Sequence, residues 1–347
     1  MKKISIQDLA RELGVSKTLV SMVLNGKGNE KGISKTTQER VYELAKKWNY
    51  KPNQFARSLR LGKSNTLGLI VADISNIFYA KIARQIEDHA SKFGYNLMIC
   101  SSDESPEKET ALIQMLRDKR VDGLILSSTL ANSSQIHELV DEKFPFVLID
   151  RILPDLDTNY VLVDNYEGAF EAVEHLIKLG YKNIAQITIS PSHLSTLRDR
   201  IAGYKDALEK HHLKYNPALV KEVSFNNVQA NVYDILKELV SPPHSIQALF
   251  VANNNLAMAC LNCLHSMKLR VPQDIALISF DDIEFFSFSN PPVTAVAQPI
   301  EKICQNAVEI LVHEINDKDT PKKHVVLPTR LTIRQSCGKY LKEFGTL

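Results

Sequence analysis

No run of about 18 consecutive apolar residues occurs in the 347-residue chain, which leaves no segment that reads as a membrane-spanning helix. The start MKKISIQDLARELG also lacks the continuous apolar core of a secretory leader, so the expected location is the cytoplasm. Cysteine is scarce. Cys100, Cys260, Cys263, Cys304 and Cys337 are odd in number and scattered, which does not make a disulfide framework. Cys260 and Cys263 form a CxxC, but inside the helical pattern LAMACLNCLHSMK and without a second ligand pair. They read as buried thiols rather than a metal or redox site. The common catalytic signatures GxxxxGK(S/T), HExxH, GxSxG and GxGxxG are missing as well. Asp150, Asp164 and Asp281 are carboxylates whose spacing alone does not make a hydrolase pair. The expectation is therefore a protein without enzymatic activity, resident metal or cofactor.

The net charge of +2 is small but unevenly placed. Through Lys63, 14 Lys and Arg stand against 5 Asp and Glu, whereas the remainder carries 28 against 35. A head of +9 on a body of −7 suits phosphate contact by one small module, because Lys and Arg neutralise phosphates and release counterions.

Within that head, ISIQDLARELGVSKTLVSMVLN reads as two short helices around a glycine turn, the pattern of a helix-turn-helix that enters DNA. Ser5 with Asp8 gives a weak capping box, and Ile6, Leu9, Ala10 and Leu13 recur at helical spacing. Gly14 supplies the turn. Ser16 is placed to cap the second helix, where Val20, Val23 and Leu24 share one side while Lys17, Thr18, Ser21, Met22 and Asn25 lie in the opposite arc. Thr36 with Glu39, or Ser34, opens a third helix whose Val41, Leu44, Ala45 and Trp48 close a small core. The basic segment FARSLRLGKSN that follows has too few apolar residues to fold alone.

From Thr66 onward, apolar strands alternate with amphipathic helices: TLGLIVA, YNLMIC, VDGLILS and FPFVLID, then NIAQITI, IQALFVA and DIALISF after Val163. Such alternation means βαβ units and parallel sheets, here in two similar lobes. The late runs VTAVAQP and HVVLPTRLTIR imply that the chain crosses between the lobes more than once. The 347 residues divide into a head (1–50), a hinge segment (51–63), a first lobe (64–162 and 293–324) and a second lobe (163–292 and 325–340). A ligand of such sheets sits beyond the carboxyl ends of the strands, in the cleft between lobes.

DLARELGVSKTLVSMVLNG, YKPNQFARSLR, DISNIFYAKIARQIE, KRVDGLILSS, LIDR, VLVDNYEGA, RIAGYKDAL, ALFVANNNLAM, LRVPQDIALISFDD and PPVTAVAQP, in this order, resemble the LacI/GalR family of bacterial transcription regulators over nearly the whole chain. The resemblance implies an α/β protein: a three-helix helix-turn-helix head on a two-lobed body of doubly wound parallel sheets, similar to periplasmic ribose-type sugar-binding proteins. It implies a homodimeric repressor on a near-palindromic DNA operator, controlled by a sugar-like effector, a monosaccharide or derivative. Carried over residue by residue, Lys17, Thr18 and Met22 read bases, Ser16, Ser21 and Asn25 hold phosphates, and Ala56 and Leu59 belong to the hinge that enters the minor groove. Met22 departs from the family's usual Arg or His and implies an apolar contact, such as a thymine methyl.

For the effector, the resemblance assigns Asn76, Phe78, Tyr79, Asp150, Arg151, Arg200, Phe225, Asn253, Asp281 and Gln298. Carboxylates, amides and guanidinium groups suit sugar hydroxyls, and the aromatic rings suit sugar C–H faces. Asn254 stands where the family commonly has Asp, which leaves one hydrogen-bond network beside the cleft open. The competing classes are a sugar-binding receptor without a DNA role and a carbohydrate-active enzyme. The first fits poorly with the basic helix-turn-helix, and the second with the absence of a catalytic motif.

Overall fold

The computed structural model describes residues 4–50, 63–129, 133–153, 156–190, 194–225 and 227–340. They fall into two compact units, Met1–Ser64 and Asn65–Leu347.

In the first unit, α1 (Ile6–Leu13) opens on a complete capping box. The Asp8 N–H donates to Ser5 Oγ at 3.3 Å, and the Ser5 N–H donates to the Asp8 carboxylate at 2.9 Å. Gly14 ends the helix at φ 68°, a left-handed conformation that costs glycine nothing. The second helix, α2 (Lys17–Leu24), starts under Ser16, whose Oγ accepts the Leu19 N–H at 3.1 Å. Of the two openings the sequence leaves for α3 (Lys35–Lys47), Ser34 is the cap. Leu9, Ala10, Val20, Val23, Val41 and Ala45 form the buried centre, with Leu44 and Trp48 packed at its edge. Tyr42 donates its hydroxyl to the Val23 carbonyl at 2.7 Å and so ties α3 to the end of α2.

The second unit holds two six-stranded sheets. The strands are β1 (Thr66–Val71), β2 (Asn96–Ser101), β3 (Gly123–Leu126), β4 (Phe146–Ile149), β5 (Tyr160–Val163), β6 (Ile184–Ile189), β7 (Val220–Val223), β8 (Ala248–Val251), β9 (Ala276–Phe280), β10 (Thr294–Ala297), β11 (His324–Leu327) and β12 (Arg330–Thr332). The first sheet runs β11-β5-β4-β3-β1-β2 and the second β12-β10-β9-β8-β6-β7, so one strand order occurs twice. Every pairing is parallel except β10 with β12, which is antiparallel. The central strands β3, β4, β8 and β9 are buried along their full length, as expected of strands covered by helices on both faces.

Three boundaries differ from the sequence reading, the first by a single residue, since Val163, expected in the second lobe, ends β5 in the first sheet. Residues 293–297 were expected in the first lobe, yet β10 pairs with β9 in the second sheet, Thr294 opposite Ile278. Residues 325–327 were expected in the second lobe, yet β11 pairs with β5 in the first sheet, Val325 opposite Val161. The run HVVLPTRLTIR is therefore two strands, one in each sheet, broken at Pro328. A short apolar strand carries no label for its sheet; only the partner it meets in register decides. The chain thus crosses after β5, after β10 and between β11 and β12.

Candidate functional site

On the head, Ser16, Lys17, Thr18 and Asn25 are exposed and Ser21 and Met22 half-buried, while Val20 and Val23 face the core. Two of the polar side chains have local duties. Ser16 caps α2, and Asn25 Nδ2 donates back to the Ser21 carbonyl at 2.6 Å, closing the last turn. Lys17, Thr18 and Met22 remain the outward, chemically varied part of the helix. Ala56 and Leu59 lie outside the described residues.

On the body, a cavity of about 290 Å³ lies where the carboxyl ends of both sheets meet, near the lower end of the roughly 300–1,000 Å³ of small-molecule sites. Nine of the ten residues singled out for this role line it: Asn76, Phe78, Tyr79, Asp150, Arg151, Arg200, Phe225, Asn253 and Asp281. Gln298 is the correction. It borders an adjoining crevice instead, and its Nε2 donates to Asp281 Oδ1 at 2.6 Å, so it orients a wall residue from behind.

The first lobe's share is a connected polar set. Asp150 follows β4 in a left-handed conformation, φ 67°, and Tyr79 donates its hydroxyl to Asp150 Oδ2 at 2.9 Å. Burial, reinforced by the Asp150 charge, pushes the Tyr79 pKa up, so the phenol stays a donor. Arg151 is gripped by Glu104, Nη1 to Oε2 at 2.7 Å and Nη2 to Oε1 at 2.6 Å, and also donates to the Ser128 carbonyl. Asn76 caps the helix Ile77–Lys92 through the Phe78 N–H at 3.0 Å.

In the second lobe, Asp281 follows β9 with φ 66°, the counterpart of Asp150. Burial raises its pKa, while Arg200 and the Gln298 hydrogen bond act in the opposite direction. Arg200, from the helix Ser195–Lys210, places its guanidinium carbon 3.6 Å from the centre of the Phe280 ring and donates through Nε to Asn165 Oδ1 at 2.9 Å and through Nη1 to the Ala252 carbonyl. Asn253 caps the helix Asn254–Ser266 through the Leu256 N–H at 2.9 Å. The departure at Asn254 has a definite geometry. Its fully buried Nδ2 donates across the cleft to Asn76 Oδ1 at 3.0 Å, a neutral contact between lobes that a carboxylate could not make.

Glu104, Asp73, Thr196, Leu197, Val228 and Asn255 also line the cavity and were not singled out from the sequence. The signal for Glu104 was its place just beyond the end of β2, on the ligand side of a parallel sheet. Cys260 and Cys263 are buried in the helix Asn254–Ser266, and burial raises both thiol pKa values. They pack as ordinary core thiols.

The family model described as "Bacterial regulatory proteins, lacI family" matches residues 5–53, and "Periplasmic binding protein-like domain" matches residues 173–337. Among curated proteins, the HTH-type transcriptional regulator DegA of Bacillus subtilis is 32% identical over 337 residues, 96% of this chain and 98% of DegA. Among solved structures, the transcriptional regulator CelR–cellobiose complex superposes with a TM-score of 0.71 at 27% identity, covering 96% of this chain and 99% of the other. The lac repressor dimer bound to operator and the anti-inducer ONPF shares the fold, with a TM-score of 0.83 at 24% identity over 97% of this chain and 99% of the other.

Proposed function

The chain belongs to the lacI family of bacterial regulatory proteins and is a DNA-binding transcriptional regulator, and from that premise we propose that it is a repressor whose operator affinity is set by a sugar held in the cleft. The observation that carries the reading is the convergence of both lobes on one cavity: Asp150 and Asp281 from equivalent strand ends, Arg200 and Asn253 beside them, and Phe78 and Phe225 as apolar walls. Hydroxyls both donate and accept, so carboxylates, amides and guanidinium groups hold them, while the rings take the C–H faces. Cellobiose in the CelR complex and ribose in a LacI family transcriptional regulator from Enterococcus faecium are sugar precedents, and a monosaccharide or a derivative is the proposed size class here.

On the DNA side, Lys17, Thr18 and Met22 are the proposed base readers, and Ser16, Ser21 and Asn25 the phosphate-side residues, with Ala56 and Leu59 assigned to the minor groove. A single small head contacts too few phosphates for tight specific binding, which supports a homodimer on a near-palindromic operator in the cytoplasm. Linkage then makes the control reciprocal: a sugar that weakens operator binding by some factor is itself weakened by operator to the same degree.

A gel-shift titration of the full chain with candidate sugars tests the reading. At least one sugar is expected to change operator affinity and to raise the melting temperature, because a ligand of the folded state stabilises it. Operator affinity unmoved by every sugar that binds would sink the allosteric claim. For Met22, binding-site selection with Met22→Arg is expected to move one base preference toward guanine by about 1–3 kcal/mol. An unchanged site would remove Met22 from the readout.

A further inference from the structure

Resting on the reading of the cleft as an effector site, we propose that Glu104 makes it a filter against anions: neutral or amino-bearing sugars enter, and sugars carrying a phosphate or carboxylate are rejected. Glu104 is the residue that sets this preference.

The described lining residues include four carboxylates, Asp73, Glu104, Asp150 and Asp281, against two cations, Arg151 and Arg200, with no Lys or His among them. A phosphate or carboxylate is held best by the open fork of a guanidinium, two parallel N–H groups meeting two oxygens. The end-on fork of Arg151 is closed, because Glu104 already accepts from both terminal nitrogens at 2.7 and 2.6 Å. Its Nε makes no hydrogen bond, but it is buried 3.4 Å from Asp150 Oδ2 and so is not presented to a ligand. Arg200 is held through Nε by Asn165 and through Nη1 by the Ala252 carbonyl, with its guanidinium over the Phe280 ring, so that one nitrogen of each of its two forks already donates and Nη2 alone carries no hydrogen bond among the described residues. Neither guanidinium can turn to an incoming anion without leaving a buried partner unpaired.

The position of Glu104 is built into the chain. Asp103 and Glu104 both take left-handed backbone conformations, φ 52° and 55°, and Ser105 then caps the helix Pro106–Asp118. This turn brings the Glu104 carboxylate against Arg151, where its side chain is 15% exposed. The excess carboxylates Asp150 and Asp281, one from each lobe, then accept hydrogen bonds from hydroxyl or ammonium groups and repel further negative charge.

Of the four helices that start at the cavity, those at Ile77 and Asn254 are capped by Asn76 and Asn253, whereas the helices Ser195–Lys210 and Val228–Val240 have no side-chain cap. Their first turns are where an anion would sit if the proposal were wrong.

Calorimetric titration of the full chain with two matched sets decides the matter: glucose, glucosamine and glucose 6-phosphate, then ribose and ribose 5-phosphate. In any set that binds, the phosphate is expected to be at least tenfold weaker than the neutral sugar. Glu104→Gln, which frees the Arg151 fork, should close that gap by tenfold or more; Glu104→Asp, which keeps the charge, should preserve it. A phosphate that binds wild-type protein as tightly as its neutral parent overturns the filter and leaves the sugar cleft intact. Binding by no member of either set overturns both. The wild-type comparison stands even if a variant fails to fold, and an unchanged gap in folded Glu104→Gln removes Glu104 from the role.

Discussion

The two lobes share a strand order and a landmark, then diverge by one residue. In each, the fourth strand in sequence ends in an Asp with a left-handed backbone, Asp150 at φ 67° and Asp281 at φ 66°. The next residue is Arg151 in the first lobe and Asp282 in the second, and each is gripped by a partner of opposite charge. Glu104 holds Arg151, and Arg334 holds Asp282 at 2.9 and 2.8 Å. The Arg151 pair lines the cavity. The Asp282 pair does not; Arg334 also donates to the Val293 carbonyl at 2.6 Å and so pins the chain after β12 to the start of β10. The duplicated fold fixes where the aspartates go, while the residue after each decides whether an ion pair serves the ligand or the frame.

Arg334→Ala gives the largest effect that tests this division. It leaves Asp282, whose side chain is 17% exposed, without its bidentate partner and releases the Val293 carbonyl. Breaking such a pair costs about 3 kcal/mol, read as a lower urea midpoint. Sugar affinity should be unchanged under conditions where the variant is folded. A loss of sugar affinity comparable to the loss of stability would break the distinction between cavity and frame.

That distinction also marks what the sequence could convey. The helices of the head follow from caps and spacing, since Ser5, Gly14 and Ser16 act within a few residues of themselves. The cavity was legible where family resemblance and strand ends coincide, as at Asp150, Asp281, Asn76 and Asn253. Glu104 was missed because SSDESPEK reads as an ordinary polar turn before a Ser-Pro helix start, and its role depends on meeting Arg151, 47 residues away. Arg334 and Asp282 were illegible for a similar reason, being 52 residues apart on segments whose sheet only tertiary pairing decides. The four-residue strands β5 and β7, YVLV and VKEV, are too short for their apolar pattern to separate strand from loop.

Asn254→Asp tests where the two lobes touch rather than how they differ. The variant replaces the Nδ2 donor with an oxygen facing Asn76 Oδ1, at a site with no solvent exposure. The lost bond and the buried repulsion should cost about 2 kcal/mol at neutral pH. Acidification should recover part of it, since a protonated carboxyl regains a donor. Thermal melts of both proteins from pH 7 down to pH 5 check this; a deficit that stays constant would mean the Asn76 contact contributes nothing across the cleft.

The smallest effects come from two glutamates that titrate in opposite senses, one in each lobe. In the second lobe, hydrogen bonds from Lys178, Lys210 and His211 hold the Glu174 pKa down to about 2. Its folded value is below the unfolded one, so its stabilisation is complete above the ordinary carboxylate range and is lost as pH falls from about 4.5 toward 2. In the first lobe, Glu109 is buried, and desolvation raises its pKa although Ser128 and Thr129 donate to it. Its folded value lies above the unfolded one, so the linkage has the reverse sign: the favourable contribution is present in acid and lost as pH rises through the folded pKa. Relative to Glu174→Gln, wild-type protein should lose advantage on acidification; relative to Glu109→Gln, it should gain. Urea midpoints of the three proteins at pH 7 and pH 4 read both differences, and shifts of the same sign in both variants would show that burial and pairing do not separate the two lobes in this way.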